Sequence, residues 1–339
     1  MNAAAPSELV DVFLDHALTG DAKRAAGLAV ELYDHGASEE SVITDLLAAA
    51  QHQIGERWQR NELSIAEEHL ATGASETALY ALSDAAATPD SNGRIVVCCA
   101  EGDWHAIAAH MFAERLRAQG FIVAFLGAST PADDVAKFVE RRQPDALAIT
   151  CSLPLFYSGV TRVADAAHRF GVPVLAGGRA LERGPARARR LGADGWGSNI
   201  YDAISQLTQW RASPPPIRNE PTVLHRGAVE LEARAPELAD SAFDDLARRF
   251  PAMSNYDTRQ LTRTREDMVF IARFVAAAQL VDDDTVLTEF LDWLAELLEA
   301  RGVPRAALTA GLEALQPLFD QIDETSNFGE IGLQHLANA

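Results

Sequence analysis

Cysteine is scarce in this 339-residue chain: the three are Cys98, Cys99 and Cys151. Two are neighbours in one apolar run and the third closes another, with no C-x-x-C or zinc-type spacing. That excludes a disulfide framework and leaves them as small core residues. Long apolar runs are also missing; none reaches the roughly 18–20 residues of a membrane span. The opening MNAAAPSELVDVFLDHAL lacks a basic stretch leading into an apolar one, so no signal peptide and a cytoplasmic location are expected. Basic residues are outnumbered, 29 Lys and Arg against 49 Asp and Glu, for a net charge of −20. Such a surface repels phosphate backbones and argues against direct nucleic-acid binding, in spite of PARARR (185–190) and TRQLTRTR (258–265). No nucleophile elbow, P-loop or paired-carboxylate site is visible, so a binding or regulatory protein is expected rather than an enzyme.

What is present is an ordinary globular balance, 48% hydrophobic and 23% charged, in a chain long enough for two or three domains. Three segments separate by pattern. Residues 1–87 have helical periodicity, with Val10, Phe13, Leu14 and Leu18 on one face. Gly20–Asp21, Gly36–Ala37 and Asn61–Glu62 break the run into about four helices, a small bundle. TPDSNG (88–93) reads as a linker. Over 94–211 strand-like runs (RIVVCCA, FIVAFLG, DALAITCS, VPVLAGG and a short ADGWGSN) alternate with helical ones. That alternation predicts a doubly wound parallel sheet, flavodoxin-like in size, with its ligand site at the carboxyl ends of the strands. The proline-rich ASPPPIRNEP (212–221) is a semi-rigid linker. Residues 222–330 are helical again, in FDDLARRF, MVFIARFVAAAQLV, VLTEFLDWLAELLEARG and ALTAGLEALQPLF, and the last SNFGEIGLQHLANA reads as a tail. The fold class is thus α/β plus all-α.

The chemistry concentrates where the first strand runs into Glu101-Gly102-Asp103-Trp104-His105 and then a helix. An imidazole there stands at the carboxyl edge of the sheet. Asp103 can hydrogen-bond one ring nitrogen, fix the tautomer and leave the other as a metal ligand. This stretch resembles the D-x-H-x-x-G motif of cobalamin-binding domains, except that its third signature position is Ala108. The resemblance implies that His105 is the lower axial ligand of cobalt and Asp103 its orienting partner, with Trp104 beside them. It also implies a hydroxyl residue at the end of strand three, where Thr150-Cys151-Ser152-Leu153 offers Thr150 or Ser152. A glycine pair after strand four, here Gly177-Gly178, would let backbone approach the dimethylbenzimidazole, and LGASTP (126–131), with Gly127, matches the second strand-to-helix turn.

In the first segment Trp58 is followed ten residues later by Glu68-His69. This W-x9-E-H pattern resembles the helical cap of MerR-type cobalamin photoreceptors, where these residues lie over the upper face of adenosylcobalamin. The residue after the tryptophan is Gln59 where those photoreceptors have histidine, and no helix-turn-helix segment precedes the bundle.

Between 230 and 330 there is neither histidine nor cysteine, which excludes a His-ligated haem or a thioether-linked tetrapyrrole there. Cap, cobalamin domain and a globin-like helical domain in this order resemble the photocobilins, which pair cobalamin with biliverdin. The resemblance implies a bilin near Tyr256, Asp257, Arg259, Arg263, Arg273 and Trp293, with Arg265 close by. Arginines can hold propionate carboxylates and an aspartate can accept pyrrole N–H groups. On composition alone the same residues better suit the solvated face of an oligomerisation bundle. The reading is a light sensor with adenosylcobalamin and biliverdin whose homo-oligomer changes with light, with no membrane or nucleic-acid partner. The alternatives are a corrinoid methyl carrier of a cobalamin-dependent methyltransferase system and an interaction module that has lost its cofactor.

Overall fold

The computed structural model describes residues 7–85, 92–218 and 220–338; most of the 88–93 linker lies outside them, as does Asn219 in the second linker. The first segment folds as α1 (Ser7–Leu18), α2 (Ala22–Asp34), α3 (Glu39–Ser41), α4 (Ala49–Gln59) and α5 (Ile65–Ala85). A π-helical turn, Val42–Ala48, joins α3 to α4, so the two run on as one helix. Ser38 starts that helix by accepting from the Ser41 amide, and Asp21 does the same for α2 from Arg24. Phe13, Ile43, Leu46, Leu47, Ile54, Leu79 and Leu82 form the core of the bundle.

The second segment alternates β1 (Arg94–Cys99), α6 (Ile107–Ala118), β2 (Ile122–Gly127), α7 (Ala132–Arg142), β3 (Ala146–Thr150), α8 (Tyr157–His168), β4 (Val174–Gly177), α9 (Pro185–Arg190), β5 (Gly195–Gly197) and α10 (Ile200–Ala212). All pairings are parallel and the order is β2-β1-β3-β4-β5. A sheet covered on both faces needs no polar alternation, which is why β1 buries five of its six residues. Register aligns Cys99 with Thr150, Thr150 with Gly177, and Gly177 with Gly197, so these four mark one carboxyl edge. One face of the sheet is covered by α6 and α10.

The third segment is α11 (Arg226–Arg249), α12 (Thr258–Val281), α13 (Thr285–Glu299), α14 (Arg305–Ile322) and α15 (Phe328–Asn338). FDDLARRF is only the end of a 24-residue helix that runs through Pro236. The tail expected after residue 326 is instead α15, packed into the bundle through Leu336. Gly332 approaches so closely that a Cβ there would lie 2.9 Å from Leu312 and 3.1 Å from Leu287 and Leu291. The small residue is what admits the helix, and hydrophobic periodicity alone does not register it.

This domain shares a continuous core with the sheet's other face, from Val96 and Leu147 through Val160 to Leu231, Ile271 and Leu315. Polar contacts fix the docking. Buried Arg187 bonds Asp283 at 2.8 Å and Thr285 at 2.7 Å, and Arg273 donates to the Leu155 carbonyl at 3.0 Å. No described helix is long and apolar enough to cross a membrane.

Candidate functional site

The site forms because β1 ends at the sheet edge and α6 begins only at Ile107, leaving 100–106 as a loop. Asp103 is fully buried in it and uses both carboxylate oxygens. Oδ1 accepts from the His105 amide at 3.0 Å and faces His105 Nδ1 at 2.8 Å; Oδ2 accepts from the Ser152 amide at 2.7 Å. One carboxylate therefore locks the imidazole and ties the β1 loop to the β3 loop. The Asp103 carbonyl accepts from the Ser129 amide, and Ser129 Oγ accepts from the Gly102 amide, which adds the β2 loop. A buried carboxylate with three such partners is held in one orientation.

The His105 side chain is 58% exposed, and among the described residues its Nε2 makes no hydrogen bond. The hydrogen bond to Asp103 raises the imidazole pKa; burial opposes this, and the charges of Asp103 and Glu68 add to it. Glu68, near the start of α5, is thus close enough for its charge to be felt at His105. With Nδ1 donating to Asp103, Nε2 carries a lone pair toward open space, the arrangement of a metal-ligating histidine with its carboxylate partner. This donor set fits the lower ligand of a cobalt corrinoid. Trp104, 76% exposed, stands beside it, and Ala108 is exposed, so its methyl group crowds nothing in the protein.

At the strand ends the Thr150 hydroxyl donates to Cys99 Sγ at 3.7 Å, Ser152 offers its amide to Asp103, and Leu153 packs partly into the core. Gly127 closes β2 with φ 75° and open space around it. The glycine pair has an internal reason. A Cβ on Gly178 (φ 100°) would stand 2.6 Å from the Cys151 carbonyl, and one on Gly177 3.3 Å from that of Gly197. The close approach this pair permits is to the chain's own backbone. Sequence reasoning missed Gly159, in the first turn of α8, where a Cβ would meet the Glu101 carbonyl at 2.0 Å. A glycine within YSGVTRV was the available signal. It seats α8 directly under the loop that carries Asp103 and His105. The three cysteines are buried and free; burial raises all three thiols, Cys99 to about 11, so they are inert.

The cap residues divide. His69 is exposed beside Glu68, at 3.4 Å. Trp58 is engaged by the C-terminal domain: its ring stacks on Trp293 (centroids 6.3 Å apart) and the Arg301 guanidinium lies 5.5 Å over it. Gln59 donates to Glu296 at 2.9 Å. Trp58 and the 61–66 turn also form one wall of a recess of about 770 Å³ in the C-terminal domain. Its other walls include Tyr256, Asp257, Arg259, Arg263, Asp267 and Trp293. Two of the sequence-selected arginines lie elsewhere. Arg273 is spent on the Leu155 carbonyl, and Arg265 stacks 3.6 Å over Phe243. Asp257 lines the recess, yet its carboxylate caps α12 by accepting from the Gln260 amide at 2.8 Å. Asp267, which sequence reasoning passed over, faces the recess unpaired.

Comparison with known proteins covers the first two segments. Residues 93–205 match the B12 binding domain model, and residues 9–83 match a second model of the same description. The chain is 31% identical over 151 residues to the HTH-type transcriptional repressor CarH of Myxococcus xanthus, covering 43% of this chain and 50% of that protein. It is 31% identical over 106 residues to the methanol–corrinoid protein of Methanosarcina barkeri, 31% of this chain and 41% of that one. These two matches thus take in half or less of each relative. The dimethylamine corrinoid protein of Methanosarcina barkeri is 27% identical over 195 residues, 55% of this chain and 91% of its own length. Among solved structures, the monomethylamine corrinoid protein of Methanosarcina barkeri shares the fold, with TM-score 0.53 at 19% identity over 60% of this chain and 99% of that one. A helical bundle and a parallel α/β domain that both match B12 binding models support a cobalamin-binding protein.

Proposed function

We propose that this chain is a light sensor that binds adenosylcobalamin between the helical cap and the α/β domain, and biliverdin in the recess of a globin-like C-terminal domain. Bound adenosylcobalamin supplies a cobalt–carbon bond that light can break. The chain's own part is positioning. Asp103 holds the His105 ring, the loops tied to Asp103 fix the floor, and the α5 start with Glu68 and His69 overlies it.

One observation carries this reading: the cap has a residue on each side. Glu68 acts electrostatically on His105, while Trp58, at the end of α4, is stacked on Trp293 and walls the C-terminal recess. A change at the cobalamin face therefore has a mechanical route to the C-terminal domain, and a changed homo-oligomer is the proposed output. No catalytic role is assigned to the chain.

A corrinoid methyl carrier is the second reading, favoured by the match that spans 91% of the dimethylamine corrinoid protein. It gives no role to the C-terminal helices or to their contacts with Trp58. Protein purified in darkness with adenosylcobalamin and biliverdin decides between the two. Bleaching of the cobalamin spectrum under green light together with a changed elution volume supports the sensor. Light-insensitive size, with methyl transfer from a methylamine-type donor system, supports the carrier.

A further inference from the structure

The recess between the cap and the C-terminal helices has three acidic residues in its wall, and two of them are already used. Asp257 caps α12, and Glu266 pairs with Arg263 at 2.5 Å. Asp267 forms no hydrogen bond or ion pair among the described residues. The charged groups that face it are Glu266 and Arg263 on its own helix and Arg301 beyond α13. Neither arginine is available to it. Arg263 is held by Glu266, and Arg301 donates to the carbonyls of Leu297 (3.0 Å), Gln59 (3.3 Å) and Trp58 (3.4 Å). Burial is the largest influence on Asp267 and pushes its carboxyl up to about 6.

Asp267 is half-buried in the recess wall and has no donor among the described residues, so an N–H donor on an occupant would meet an unused carboxylate acceptor. The surroundings define that occupant. The walls are rich in aromatic side chains (Trp58, Trp293, Phe250, Tyr256 and Phe270), which suit a flat conjugated molecule. A recess of about 770 Å³ has room for several rings. Arg259 also lines it and makes no ion pair among the described residues, so a guanidinium is open to a carboxylate on the occupant.

We propose that Asp267 is the acceptor for the pyrrole-type N–H groups of a conjugated, carboxylate-bearing ligand in this recess, and that Arg259 takes one of the ligand's carboxylates. The assignment rests on the two-chromophore reading above and names the group that sets the second chromophore's protonation. It also explains why the acid should lie on α12 rather than at the cap position 257, where the carboxylate belongs to the helix.

The test uses the full chain, loaded with adenosylcobalamin and titrated with biliverdin as the probe. Asp267→Asn is expected to weaken biliverdin binding at least tenfold and to remove the pH dependence of the bound absorption band between pH 5 and 8. Cobalamin uptake should be unchanged, which certifies the fold, and Asp267→Glu should restore part of the pH dependence. Arg259→Ala should weaken binding while leaving the pH profile in place. Equal affinity and an equal pH profile for Asp267→Asn and the unaltered chain would overturn the assignment while sparing the two-chromophore reading. Uptake of cobalamin but not of biliverdin by the unaltered chain would overturn both the assignment and the biliverdin half of that reading.

Discussion

Trp58 of the cap stacks on Trp293 of the C-terminal domain, with ring centroids 6.3 Å apart and planes inclined by 24°. The pair joins elements 235 positions apart in the chain, and Arg301 reinforces it from above the Trp58 ring while donating to the Trp58 carbonyl. The cap is thereby latched to the far domain as well as seated on the α/β domain through Ser83 and Glu114, 2.6 Å apart.

Loosening that latch should free the cap without unfolding it. An aromatic pair contributes about 0.5–1.5 kcal/mol beyond its buried area, and a partly desolvated cation–π contact about 0.5–2 kcal/mol. Trp293→Ala and Arg301→Ala are each expected to speed proteolysis within the 60–64 turn and to raise the cobalamin release rate several-fold. Stopped-flow release of bound cobalamin measures the second effect. Unchanged release rates in both variants would mean that the latch does not restrain the cap.

The lower-ligand assignment predicts a graded series. His105→Ala should abolish histidine coordination, seen as loss of imidazole hyperfine coupling in the electron paramagnetic resonance spectrum of the Co(II) form. Asp103→Asn should weaken cobalamin binding about 10–100-fold, the usual cost of removing a carboxylate partner of a metal-bound histidine. Asp103→Asn should also lower stability, because the Ser152 and His105 amides lose a charged acceptor. Equilibrium dialysis and urea unfolding report the two effects separately.

Gly159→Ala should be among the most damaging single-methyl changes in the chain. A Cβ 2.0 Å from the Glu101 carbonyl cannot be accommodated without moving α8 or the 101–105 loop. Overpacking of this kind costs about 1–3 kcal/mol, and the displaced loop carries His105. Ala108→Gly, by contrast, introduces the glycine of a D-x-H-x-x-G pattern at an exposed helical position and should cost roughly 0.5–1 kcal/mol through helix propensity alone. Thermal unfolding of both variants, with cobalamin uptake measured alongside, checks the contrast.

Asp267 gives a pH dependence with a definite sign. Its folded-state pKa of about 6 lies above the ordinary 3.8, so the folded form binds the proton more tightly than the unfolded one. Stability from this group is present at low pH and is lost as pH rises from about 4 through 6. In the ligand-free protein, Asp267→Asn should therefore gain stability relative to the parent as pH rises across that window, by about 1–3 kcal/mol. Urea midpoints at pH 4.5 and pH 7.5 for both proteins measure the difference. A gain of the opposite sign would mean that the carboxylate has a cationic partner when folded.

The sequence by itself determined the order of elements and the place of the D-x-H loop. Short apolar runs such as RIVVCC, rich in β-branched residues and alternating with helical stretches, read as strands buried on both faces, and a D-x-H at the end of the first such strand stands at the sheet's carboxyl edge. Both follow from local periodicity and from parallel topology, which a linear reading captures. It also singled out Trp58 and Glu68-His69 by spacing, without showing that the cap divides them between two neighbours. Tertiary structure alone decided that Trp58 belongs to the C-terminal recess and that Arg273 is consumed by the Leu155 carbonyl. It alone showed that Asp267 is the unpaired acid and that the last eleven helical residues pack on Leu312 rather than trail as a tail. The Trp58–Trp293 stack and the Arg273–Leu155 bond depend on side chains that meet across more than a hundred residues of chain. Such a meeting is fixed by the docking of whole domains, and hydrophobic period, propensity and motif spacing carry no term for it.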